Sequence, residues 1–115
     1  IFLNHFPGQT IAAVHQQAID DINIVKQDLL KTAQKLESIG IKHEKIILDP
    51  GIGFGKTMDL NWQLLKFSRE ITDYPVLIGH SRKRFLGANR MDLTVNQQAA
   101  QIAIKSGAKF LRVHE

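Results

Sequence analysis

Apolar residues occur along this chain in two patterns: short continuous runs, and longer stretches in which they recur every three or four positions. The short runs have the length of β-strands and lie at Ile1–Leu3, Lys45–Leu48, Pro75–Ile78 and Lys109–Val113. The stretches between them have helical periodicity and the length that a crossover between parallel strands requires. The pattern therefore predicts the element order βαβαβαβ.

Three helices are predicted between the strands. The first runs from Ala18 to Ile39 and ends at Gly40, a residue type that stops helices. The second is expected to be capped by Asp59 and to end before the Tyr74-Pro75 pair, and the third to begin at the capping box of residues 94–97 and to close at Gly107. The apolar positions that define the first two helices are Ile22, Val25, Leu29, Ala33, Leu36 and Ile39, then Leu60, Leu64, Phe67 and Ile71.

The predicted strands are apolar at almost every position, which is typical of parallel sheets covered by helices on both faces. Two α/β architectures fit this pattern, an open doubly wound sheet and part of an eight-stranded TIM (β/α)8 barrel. In both, ligand-binding groups gather just beyond the carboxyl ends of the strands. Residues in those positions are the candidates for function.

The composition is that of a globular domain and argues against several classes of protein. The 115 residues are 43% hydrophobic and include no cysteine, so disulfides and thiolate metal sites are excluded. The apolar runs are short, and we expect neither a membrane span nor a signal peptide. The net charge of +4 comes mostly from dispersed basic residues, and the one dense cluster, at residues 81–84, suits a small anionic ligand better than a nucleic acid.

The segment DPGIGFGKT, residues 49–57, resembles a nucleotide-binding loop only superficially. A Walker A loop needs a glycine at the position that Pro50 occupies, and the glycine spacing also fails the dinucleotide fingerprint. The glycines instead allow a ligand to approach the backbone, while Asp49 can accept two hydrogen bonds from an amino-pyrimidine edge and Phe54 offers an apolar face. The alternative is that the segment is a turn without a ligand.

Two more polar motifs follow predicted strands. In Gly79-His80-Ser81-Arg82-Lys83, the ammonium of Lys83 can donate to a carbonyl or a ring nitrogen, and Ser81 can bind a carboxylate; the alternative is a solvated basic loop. Arg112 and His114 are two residues apart on the last strand and leave the same face, where a pyrophosphate would pair with them. In a parallel sheet these motifs and Asp49 share one rim.

These motifs, in this order and spacing, resemble the carboxyl half of the dihydropteroate synthase family. The segments that carry the resemblance are DPGIGFGKT, PVLIGHSRKRFLG and GAKFLRVHE, and residues 3–8 look like a divergent copy of the family's fifth-strand Met-His-Met segment. The resemblance implies a TIM barrel of which residues 1–115 hold strands five to eight. We also expect the chain to be an internal fragment, because it opens in an apolar run and stops beside a predicted strand.

The resemblance also implies a reaction, the joining of 4-aminobenzoate to 6-hydroxymethyl-7,8-dihydropterin diphosphate with release of pyrophosphate, in folate synthesis. Asp49 would bind the amino edge of the pterin, and Lys83 would contact both the pterin and the aminobenzoate pocket. Gly79 would also belong to the substrate-binding residues. Phe54 would pack on the aminobenzoate side, and Ser81 would hold the carboxylate of the aminobenzoate. Arg112 and His114 would bind the diphosphate.

Several further expectations follow from the same resemblance. The Mg²⁺ ligand should lie in an amino half that this chain lacks, so the fragment alone should be inactive, and the complete protein should be a cytoplasmic homodimer. Two alternatives are a pterin-binding methyltransferase domain and a pterin-binding remnant without catalysis. A methyltransferase would have no diphosphate for Arg112 and His114 to hold.

Overall fold

The computed structural model describes residues 11–81 and 83–112. It has α/β architecture, with strands and helices in alternation as predicted. The strands are β1 (Ile11–Val14), β2 (Ile46–Asp49), β3 (Leu77–Ile78) and β4 (Phe110–Leu111), and the helices are α1 (Ile22–Ser38), α2 (Met58–Leu64) and α3 (Leu93–Lys105). Short 3₁₀ turns lie at His43–Lys45, Phe67–Arg69 and Arg84–Asn89.

All the strand pairings that the structure describes are parallel. β1 pairs with β2 in the register Ile11↔Ile46 to Val14↔Asp49, and β3 pairs with β4. A bridge between Leu48 and Val76 connects the two pairs, so the order is β1-β2-β3-β4. A doubly wound sheet reverses its strand order at a switch point, whereas a barrel adds each strand beside the previous one. The order of the described strands thus favours the barrel.

The first strand of the described chain lies where the sequence did not predict one. The predicted strand Ile1–Leu3, and the residue 3–8 segment with it, lie outside the described residues, whereas the strand that pairs with β2 is Ile11–Val14. Its residues, Ile-Ala-Ala-Val, are all apolar, but only Ala13 is buried, and alanine is depleted in strands. Its strand conformation comes from pairing with a buried neighbour.

The helix starts differ from the predicted ones because each cap lies at a different residue. α1 begins after Asp21, whose carboxylate accepts from the N–H of Asn23, so residues 18–21 are not helical. Thr57 rather than Asp59 caps α2, and Asp92 rather than Thr94 caps α3. In each case the side chain accepts from a backbone N–H of the first turn, which would otherwise have no partner.

The apolar positions that periodicity selected mostly face the core. Along α1, Val25, Leu29 and Ala33 are buried, whereas Ile39 is exposed, contrary to the prediction. α2 ends at Leu64, earlier than predicted, but Phe67 and Ile71 are still buried after it. No helix in the described part of the chain has both the length and the apolar content that membrane crossing requires.

A polar cluster at the amino ends of β2 and β3 predicts a pH dependence of stability. The ring of His43 stacks on Tyr74, with its Nε2 2.6 Å from the carbonyl of Asp73 and its Nδ1 3.1 Å from Glu37. Both nitrogens face acceptors, which only the protonated ring can satisfy. The hydrogen bond to Asp73 and then that to Glu37 therefore raise the pKa of His43 above its ordinary 6.5.

A raised pKa means that the folded protein holds this proton more tightly than the unfolded chain. The stabilisation is complete below pH 6.5 and is lost as the pH rises through the raised pKa of His43. We expect the free energy of unfolding, measured by urea denaturation, to fall relative to that of a His43→Gln variant as the pH rises from about 5.5 to 8. A constant difference between the two proteins would contradict this.

Candidate active site

Three of the predicted site residues meet at the carboxyl ends of the strands. Asp49 ends β2, Lys83 lies in the loop after β3, and Arg112 directly follows β4. The guanidinium of Arg112 donates from Nη2 to Oδ2 of Asp49 over 3.1 Å, and the backbone N–H of Arg112 bonds the carbonyl of Ile78. These residues therefore line one rim, although 63 positions separate Asp49 from Arg112.

The carboxylate of Asp49 lies at the centre of this rim. Its side chain is 2% exposed, and its Oδ1 accepts the N–H of Gly51 over 2.9 Å. Burial raises the pKa of Asp49, and this effect outweighs the opposite effects of the Gly51 N–H and of the charges on Arg112 and Lys83. Each carboxylate oxygen can accept more than one hydrogen bond. Asp49 therefore keeps acceptor capacity for a ligand while these contacts orient it.

Lys83 reaches from the loop after β3 to the loop after β2. Its Nζ donates to the carbonyl of Ile52 over 2.7 Å and lies 5.0 Å from the centre of the Phe54 ring. Burial lowers the pKa of Lys83, with Asp49 opposing this effect and Arg112 adding to it. The ammonium thus has an aromatic face on one side and a buried carboxylate nearby, where it can meet a polar heterocycle.

The glycines of residues 51–55 bring the loop backbone close to its neighbours. A Cβ on Gly51 would lie 1.7 Å from the carbonyl oxygen of His15, and one on Gly53 would lie 3.0 Å from Cδ of Lys83. The buried amide of Asn61 accepts the N–H of Gly53 over 2.9 Å. This part of the loop is thus shaped by close packing, not by phosphate binding.

Gly79 and Ser81 are two further predicted site residues that the structure describes. Gly79 is buried, and a Cβ there would lie 3.2 Å from Nη1 of Arg112, so the glycine leaves room for the guanidinium. Ser81 is buried in the turn before Lys83. The prediction for His114 lies outside the described residues.

Lys56 and Asn61 were not predicted as site residues, yet both are buried beside the rim. With Gly53, Gly55 and Lys83 they line an open cavity of about 490 Å³, which is within the usual range for small-molecule sites. The Gly-Lys-Thr triplet was the available signal for Lys56. This triplet does not identify Lys56, because the Walker A loop to which it would belong is excluded by Pro50.

A metal ion finds no ready-made site in the part of the chain that the structure describes. Among residues 11–81 and 83–112 no group of three or more His, Asp or Glu side chains is placed to hold one. Lys56, Lys83 and Arg112 instead surround Asp49 with positive charge, as the electrostatic effects on their pKa values and on that of Asp49 indicate. The excess of cations suits an anionic ligand.

The chain also matches a known family along nearly its whole length. The family model described as "Pterin binding enzyme" matches residues 1–114. The chain belongs to this family. Membership agrees with the resemblance that the sequence motifs carry.

Several pterin-binding enzymes can be compared with this chain directly. The dihydropteroate synthase of Haemophilus influenzae is 45% identical over 79% of this chain and 37% of its own length. That of Escherichia coli K12 is 32% identical over 100% of this chain and 44% of its own length. A solved structure of the Xanthomonas albilineans enzyme in complex with 7,8-dihydropteroate superimposes with a TM-score of 0.83, at 32% identity and over 92% of this chain and 45% of that one. The chain thus spans less than half the length of these relatives.

Proposed function

We propose that this chain is the carboxyl-terminal part of a dihydropteroate synthase. The reaction would condense 6-hydroxymethyl-7,8-dihydropterin diphosphate with 4-aminobenzoate, giving 7,8-dihydropteroate and pyrophosphate. The observation that carries the proposal is the contact between Asp49 and Arg112 at one rim, with Lys83 beside them, in a chain that belongs to the pterin-binding family. The named relatives are all synthases, which favours this reaction over methyl transfer.

The same proposal treats residues 1–115 as strands five to eight of a TIM barrel domain. The chain-ordered parallel strands support it, as does the share of each relative that the chain spans. An amino half would then complete the barrel and supply the rest of the site. On this basis the 115 residues alone bind substrate weakly and do not turn it over.

Substrate recognition follows from the charges on the rim. The pterin carries adjacent N–H and amino donors, which Asp49 accepts when ionised. Arg112, together with His114, neutralises the diphosphate, and Lys83 contacts the pterin from the side that faces Phe54. The aminobenzoate packs on the Phe54 side and directs its carboxylate to Ser81.

Catalysis in this scheme consists of positioning and charge stabilisation. As the bond from the pterin methylene carbon to the diphosphate oxygen breaks, the electron pair leaves with pyrophosphate, and cations at the rim stabilise that charge. The aryl amine then attacks the electron-poor carbon, and its nitrogen releases a proton to solvent. An aniline nitrogen is already nucleophilic at neutral pH, so holding it in line replaces a general base.

Three expectations from the resemblance stay predictions. The described residues offer no ligand set for Mg²⁺, and the resemblance places its ligand in the amino half. The homodimeric state and the cytoplasmic location likewise belong to the complete protein.

The proposed activity can be tested on the complete protein that contains this chain. Incubation with both substrates and Mg²⁺ should release pyrophosphate and dihydropteroate in equal amounts, measured by a coupled pyrophosphate assay and by chromatography. Omission of 4-aminobenzoate should abolish the release. Pterin binding without pyrophosphate release would instead identify a non-catalytic remnant, and methyl transfer in a parallel assay with an added methyl donor would identify a methyltransferase.

A further inference from the structure

The Gly55-Lys56-Thr57 triplet contacts the loop that follows β1. We define the first loop as residues 15–20 and the glycine loop as residues 50–57. Thr57 donates its hydroxyl to Oδ1 of Asp20 over 2.6 Å, and a Cβ on Gly55 would lie 2.9 Å from Cβ of Ala18. With the close approach of Gly51 to the first loop, the two loops touch at several successive points.

Lys56 makes the most extensive of these contacts. Its Nζ donates to three backbone carbonyls, those of His15 at 2.9 Å, Gln17 at 3.2 Å and Phe54 at 3.2 Å. An ammonium has three N–H donors, and here each one has an acceptor. Lys56 therefore has no donor left for a ligand, although it lines the cavity next to Lys83.

Two of the three acceptors belong to the first loop, and the third is the carbonyl of Phe54, whose ring faces Lys83. The side chain of Lys56 is mostly buried, so its hydrogen bonds are protected from competition with water. A cation bonded to the first loop and to the carbonyl of Phe54 fixes the backbone that carries the Phe54 side chain. The position of the Phe54 ring opposite Lys83 then depends on Lys56, which bonds the backbone of Phe54 and not its ring.

We propose that Lys56 is a positioning residue for the aryl substrate, because it ties the glycine loop to the first loop and thereby holds Phe54 opposite Lys83. This inference rests on the proposed function. The pterin subsite depends on Asp49, whose Oδ2 is held by Arg112, a residue outside both loops. Loss of Lys56 should therefore weaken binding of 4-aminobenzoate far more than binding of the pterin diphosphate.

The test uses steady-state kinetics of the complete protein, with each substrate varied in turn. Lys56→Met keeps the length of the side chain but removes all three donors. We expect the KM for 4-aminobenzoate to rise about tenfold or more, since small misplacements of a binding group have effects of this size. The KM for the pterin diphosphate should change less than about threefold, because Asp49 keeps its bond to Arg112 and loses only the more distant charge of Lys56.

Two further variants separate positioning from general stability. Lys56→Arg retains a cation with several donors and should restore most of the affinity for 4-aminobenzoate. Lys66→Met removes a lysine from an exposed position near the end of α2 and should leave both KM values unchanged. If Lys56→Met does not fold, as judged by circular dichroism, Lys56→Gln keeps two donors and is measured by the same ratio of KM values.

The outcomes are distinct. A selective rise in the KM for 4-aminobenzoate that Lys56→Arg reverses supports the proposal. Equal rises for both substrates, or a fall in kcat alone, would overturn it. If the wild-type protein releases no pyrophosphate, the proposed function itself fails, whereas an active wild type with an unaffected Lys56→Met variant refutes only the role of Lys56.

Discussion

Replacing Asp49 with asparagine should lower kcat/KM of the complete protein for the pterin diphosphate by about 30- to 3,000-fold. This range corresponds to the roughly 2–5 kcal/mol lost when one partner of a buried charge pair is truncated. Asparagine has nearly the same volume, but it replaces one acceptor oxygen with an NH₂ donor. That group faces either the N–H of Gly51 or the guanidinium of Arg112, both of which are donors.

The pH dependence of the wild-type enzyme should report the same carboxylate. Because burial raises the pKa of Asp49 above its ordinary 3.8, protonation begins at a higher pH than for an exposed aspartate. In the proposed function the ionised form binds the pterin, so kcat/KM should increase as the pH rises through this pKa and level off above it. In the asparagine variant this acidic limb should disappear.

Asp59→Asn is the matched control for this experiment. Asp59 is an exposed carboxylate on α2 that does not line the cavity, and its loss should leave kcat/KM within about twofold, as is usual for surface substitutions. Measurement of pterin binding by calorimetry separates recognition from chemistry. If Asp49→Asn binds the pterin diphosphate as tightly as the wild type, Asp49 is not the pterin acceptor, and the assignment of the site fails.

Substituting alanine for Gly51 should destabilise the fold by about 3 kcal/mol or more, from left-handed strain and overpacking together. The φ angle of Gly51 is +75°, and a Cβ there would lie 1.7 Å from the carbonyl oxygen of His15. That oxygen is a backbone atom bonded to Lys56, and the N–H of His15 bonds the carbonyl of Asp49. The carbonyl of His15 therefore cannot shift without disrupting the junction of β1 and β2.

Gly40→Ala provides the control, because Gly40 also has a positive φ, of 102°, but no atom within 4 Å of the added carbon. Its cost should be limited to backbone strain, about 1–2 kcal/mol. Urea denaturation monitored by circular dichroism gives both free energies of unfolding. Equal losses in the two variants would show that the loop around His15 yields, and that the clash at Gly51 is not structurally important.

Local pattern was sufficient for most of the architecture. Apolar periods of about 3.6 residues located the first two helices, and a capping signal indicated the third. The apolar runs at β2, β3 and β4 identified these strands, since strands covered on both faces are apolar throughout. The rule that parallel strands place function at their carboxyl ends then selected Asp49, Lys83 and Arg112. The structure brings these three together at one rim.

Element boundaries were less predictable, because caps compete locally. Thr57 and Asp59 are both acceptable caps, and so are Asp92 and Thr94; small differences in the surrounding contacts decide between them. The hydroxyl of Thr57 also donates to Asp20, a bond that depends on the packing of the two loops. Periodicity carries no information about such contacts.

By itself, the sequence determined the α/β alternation, the residues that face the core and the chemical groups at the strand ends, because each of these depends on residues close in the chain. Only the tertiary structure decided that Ile11–Val14 is a strand, that Arg112 reaches Asp49, and that Lys56 joins two loops. These three features depend on partners far away in sequence. A strand with one buried residue and a lysine bonded to carbonyls gain their stability from that distant pairing, which no local pattern encodes.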